Sequence, residues 1–186
     1  MESSYSFSLM MDLVRRPYPK RLLSKHCFVF FSHPSKKSRV KHLTDHGVSQ
    51  IALTFDKSLL VFSNYLRPST IPEFDDFKSN SISNDTEHFF KRMVALMPSD
   101  ESGLNREETM MQSITSGKKV SLSKKGIPFN TELKDFYYLL ADFYFKNSEF
   151  KPAISYYLLD LSYNEKRIDS WICFVISSCQ SSGRGN

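Results

Sequence analysis

Leu140 to Trp171 reads LADFYFKNSEFKPAISYYLLDLSYNEKRIDSW. With the residues just before it, this stretch sets Tyr137, Leu140, Ala141 and Tyr144 at spacings of three, one and three, which places them on one face of a helix. After a short KNSE turn, Ala153 and Tyr157 mark the same kind of face on a second helix. Two antiparallel helices approach closely only where a small side chain faces the partner, so Ala141 and Ala153 are expected to fill the crossing while the rings pack around it. The order of large residue, Leu, small residue and Tyr, then Ala and an aromatic, is that of a tetratricopeptide repeat. Trp171 falls one such repeat length, about 34 residues, after Tyr137 and opens a second unit, with Phe174 and Val175 in the Leu and small-residue places.

Two positions depart from that pattern. Asp160 stands where the second helix wants a small residue, and Glu165 stands where a proline usually ends it. A carboxylate at the first of these must be solvated or paired. Beyond Trp171, SSCQSSGRGN carries no second helix, so the repeat is expected to have an open end, as in a truncated or alternatively ended chain.

Working outward, residues 132–179 form the expected hairpin plus the first helix of a further repeat, and 180–186 a disordered tail. Residues 99–131 are polar, with GKK and SKKG, and read as a flexible linker. Before them, 34–98 reads as an irregular helical region. Thr54 is placed to cap a helix whose Phe55, Leu59, Phe62 and Leu66 share a face, ending before Pro68. The prolines of LRPSTIPEFDDFK make an extended connector laying Ile71, Phe74 and Phe77 on a neighbouring surface. Asn84 or Asp85 is expected to cap the next helix, with Phe89, Met93 and Leu96 as its stripe, Phe90 and Met97 widening it, and Pro98 as its end. Residues 1–33 form a poorly defined helical segment broken at Pro17 and Pro19.

Composition sets the class. The chain has 186 residues, 40% of them hydrophobic, with 16 Phe and 9 Tyr, which suffices for a packed core. Only 6 Gly and 8 Pro disfavour a turn-rich β-sandwich. The formal charge of +5 comes from dispersed Lys and Arg, a mild bias without a concentrated nucleic-acid surface. Cys27, Cys173 and Cys179 make an odd number and read as reduced intracellular thiols. The apolar run Cys27–Phe31 is far too short for a bilayer span, so a soluble protein with no membrane partner is expected.

Chemistry-bearing motifs do not assemble. His42 and His46 lie one helical turn apart, with Cys27 and His33 upstream, but no CxxC or HExxH anchors a zinc site. Gly117 with its two lysines lacks the rest of a phosphate-binding loop. Asp75 and Asp76 read as a polar turn, and the pairs Lys118, Lys119 and Lys124, Lys125, like Arg15, Arg16, Lys20 and Arg21, read as solvated segments. Pro152, Ile154 and Tyr156 match only half of a calcineurin-docking peptide, and Pro152 suits the first turn of a helix instead. No catalytic residue, cofactor or metal is expected. Tyr138 and Phe145, off the hairpin's core face, are candidates for contact with a neighbouring repeat or partner.

Taken together, RPSTIPEFDDFKSNSIS, FFKRMVALMP, FYYLLADFYFKNSEFKPAISYYLLDL and RIDSW resemble the calcineurin-binding protein cabin family, the large helical-repeat subunit of the HIRA histone-chaperone complex. The likeness covers roughly residues 33–98 and 133–171. It implies a nuclear scaffold, not an enzyme, that helps a complex deposit histones independently of replication and repress transcription. Its implied partners are subunits of the HIRA complex and, indirectly, histones, with no sequence-specific contact to nucleic acid. The family's calcineurin-docking segment lies outside the matched region. A generic tetratricopeptide adaptor or chaperone cofactor is the alternative, for which Lys with Asn or Arg would line a groove across at least three repeats.

Overall fold

The computed structural model describes Lys41, Asp45, residues 52–74, residues 82–97, Gln112, Ser116, Leu133 and residues 135–183. Among these residues all regular structure is helical: α1 (Phe55–Val61) running into a π-helical turn (Phe62–Leu66), α2 (Asn84–Leu96), α3 (Phe136–Lys146), α4 (Phe150–Tyr163) and α5 (Ile168–Gly183). The expected all-α class is therefore observed. The expected segment 1–33, the paper zinc set of Cys27, His33, His42 and His46, Phe77, nearly all of the linker 99–131 and the last three residues lie outside the described residues.

The described residues group into two compact units. One takes those up to Arg67 together with His88–Leu96, and the other takes Pro68–Glu87 and those from Met97 onward. The connector goes with the C-terminal helices for a physical reason: the Tyr138 hydroxyl donates to the Pro72 carbonyl at 2.8 Å, and the buried Glu87 carboxylate accepts from the Tyr144 hydroxyl.

In the first unit, Thr54 caps α1 as its position suggests, its Oγ1 accepting from the Lys57 amide at 3.4 Å. The core-facing residues are Ser58, Val61 and Phe62, while Phe55, Leu59 and Leu66 are only half-buried. The helix widens after Val61: the Arg67 amide bonds to the Phe62 carbonyl at 2.9 Å, five residues back, which turns Leu66 off the line of an α-helical face. Phe62 meets Phe90 of α2 edge-to-face at 5.3 Å, and Phe89, Phe90 and Met93 are wholly buried. Leu96, expected on the same stripe, is 38% exposed. The cap of α2 is Ser83, one residue earlier than expected, its Oγ accepting from the Thr86 amide at 3.2 Å.

In the second unit, α3 and α4 form a hairpin closed by Asn147–Glu149. The Ser148 amide bonds to the Phe145 carbonyl, the Glu149 amide bonds to the Tyr144 carbonyl, both at 2.9 Å, and Ser148 is left-handed at φ 61°. This is a Schellman stop with serine at the position that favours glycine. Pro152 sits before the first backbone bond of α4, from the Ala153 amide to the Glu149 carbonyl, so its missing N–H costs nothing. Leu139, Leu140, Leu158 and Leu161 are wholly buried, each contributing about 1.5–3 kcal/mol of transfer free energy.

The third helix, α5, packs on α4 and runs four residues into the expected tail, to Gly183. Its serines do not break it, because Ser177, Ser178 and Ser182 each donate to the carbonyl four residues back, at 2.7, 2.8 and 3.0 Å.

Candidate functional site

The three C-terminal helices carry every residue singled out as a packing determinant. Ala141 and Ala153 are both wholly buried, as a close helix crossing requires. Leu140 and Tyr157 are wholly buried as well, and Tyr144 is buried. Tyr137 is half-buried and stacks on Tyr163 of α4, centroids 5.7 Å apart and planes 5° from parallel. Two turns further along α3, Tyr144 stacks on Tyr156 at 5.6 Å, again 5° from parallel. Each stack joins one residue of α3 to one of α4, and the second stack sits seven residues along both helices from the first. The hairpin is therefore held flush at both ends. Trp171 is the exception among the expected core residues: it is 37% exposed, with its indole N–H donating to the Glu165 carbonyl at 2.9 Å.

Tyr138 corrects an expectation. Expected off the core face as a contact for a neighbouring repeat or a partner, it is wholly buried. Besides its bond to Pro72, its ring lies under the Arg167 guanidinium at 4.8 Å and edge-on to Tyr157 at 6.1 Å. Burial, aided by nearby Asp142, holds its phenol un-ionised. Phe145 is half-buried between Phe150 and Tyr157 and is likewise spent within the hairpin.

The residue that ties the three helices together was not among those anticipated. Arg167, in the α4–α5 connection, reaches Asp135 at the start of α3 at 2.5 Å and Asp160 near the end of α4 at 3.3 Å. Asp160 is 1% exposed, yet each of its oxygens has a donor. One accepts from Asn164 at 2.9 Å as well as from Arg167, and the other accepts from Ser170 of α5 at 2.6 Å. The departure from a small residue at position 160 is thus absorbed by pairing, as a buried carboxylate demands. Burial pushes the Asp160 carboxyl up from its ordinary range, opposed by Arg167 and by the hydrogen bonds from Ser170 and Asn164. Glu165, the second departure, is exposed and contributes its backbone carbonyl alone to Trp171. The available signal for Arg167 was the i, i+7 spacing from an acidic residue that had no place in the core.

A repetition emerges from the burial pattern. Phe136, Leu139, Leu140 and Phe143 of α3 are buried, and so are Ser170, Cys173, Phe174 and Ser177 of α5, each 34 residues later. The other face behaves differently. Tyr137, Ala141 and Tyr144 of α3 include the two rings that stack face to face on α4. Thirty-four residues on, Trp171 is 37% and Val175 54% exposed, with Ile168 beside them at 71%.

Chemical machinery is not concentrated here. Among the described residues no group of three metal-binding side chains occurs, and no helix is long and apolar enough to cross a membrane. Cys173 and Cys179 are free, and burial pushes the Cys173 thiol up, away from a reactive thiolate. No known protein-family model matches the chain, and no solved structure matches it.

Proposed function

We propose that this chain is a non-enzymatic scaffold of the tetratricopeptide kind, whose function is to hold other proteins. The observation that carries the reading is that the four buried positions of α5, Ser170, Cys173, Phe174 and Ser177, each fall one repeat length after a buried residue of α3. The buried Ala141 and Ala153 add the close approach that such a hairpin needs. In modules of this kind binding energy is spread over broad helical surfaces, which agrees with an interior given over to rings and paired charges.

The particular scaffold is a nuclear one, part of a histone-chaperone assembly like that served by the cabin family. The support is the sequence resemblance carried by IPEFD, LADFYFKN and DSW in that order. The test is a pull-down of the tagged chain from nuclear extract, probed for subunits of the HIRA complex and for histones. Their recovery is expected; recovery of cytosolic chaperones alone would transfer the chain to the adaptor class.

A further inference from the structure

We draw no further inference here: the strongest candidate, the exposed apolar surface patch of α5 formed by Ile168, Trp171 and Val175, carries none, because nothing in the structure shows what covers it.

Discussion

Arg167 and Asp135 form an ion pair at 2.5 Å that links the connection between α4 and α5 to the first residues of α3. Asp135 stands at the N-cap position, yet its side chain makes no capping bond there. Its carboxylate is committed to Arg167 instead. The same guanidinium also serves Asp160 and covers the ring of Tyr138, so one side chain, only 15% exposed, neutralises two buried carboxylates and closes the three-helix arrangement.

Removing that cation is expected to be far worse than removing either anion's charge. Arg167→Met removes the cation that Asp135 and Asp160 share in the interior, a loss of about 3–5 kcal/mol. Asp160→Asn keeps an acceptor for its neighbours and lifts a burial penalty. Because burial raises the Asp160 carboxyl in the folded state, the stabilisation it confers is full below the unfolded value and is lost as pH rises through the raised one. At neutral pH the Asn variant is therefore expected to lie within about 1 kcal/mol of the parent. Urea melts of both variants at pH 7 check the order, and equal losses would show that Arg167 is not the shared partner.

The turn at Ser148 offers a gain. Serine at φ 61° bears a steric cost that glycine avoids, and Gly183 apart, no glycine lies among the residues of the three helices and their turns. Ser148→Gly is expected to raise stability by about 0.5–1 kcal/mol, and Ser148→Val to lower it. The thermal midpoint reads both signs.

How far the sequence disclosed this arrangement depends on the range of the interaction. Thr54, the KNSE turn, the helical hairpin and the burial of Ala141 and Ala153 follow from short spacings, because caps and amphipathic faces are local. The inward position of Tyr138 and the node at Arg167 depend on residues tens of positions away in the chain, Pro72 and Asp135. The last turn of serine-rich α5, expected as part of the tail, is hidden for another reason. Its hydroxyls bond back to the helix's own carbonyls, so residues that signal a coil in isolation are satisfied within the helix.

Alkaline pH is expected to unfold the hairpin. Burial raises the phenols of Tyr138, Tyr144 and Tyr157 and the thiol of Cys173 above their unfolded values. Below the unfolded values both states keep the proton and nothing changes. Above them the unfolded chain releases its proton first, so stability falls by about 1.4 kcal/mol per pH unit for each such group. The decline begins near about pH 8.5 with the thiol and steepens above about pH 10 with the phenols. Unfolding free energies from pH 7 to 11 check it, and a flat profile would contradict the burial of these four groups.

Three buried tyrosines give the most discriminating comparison, since each loses the same atom on mutation to phenylalanine but for a different return. The Tyr144 hydroxyl donates to the buried Glu87 carboxylate, so Tyr144→Phe leaves a buried charge short of a donor and costs about 1.5–3 kcal/mol. The Tyr138 hydroxyl donates to the neutral Pro72 carbonyl, and Tyr138→Phe costs about 1 kcal/mol. The Tyr157 hydroxyl has only the weakly polar Cys173 thiol to face, so Tyr157→Phe removes a poorly satisfied group and is neutral or stabilising by up to about 1 kcal/mol. Denaturant melts of the three variants should rank them in that order. A Tyr157→Phe loss as large as that of Tyr144→Phe would mean that the Tyr157 hydroxyl is held by a strong acceptor, and the packing of α4 against α5 around Cys173 would have to be redrawn.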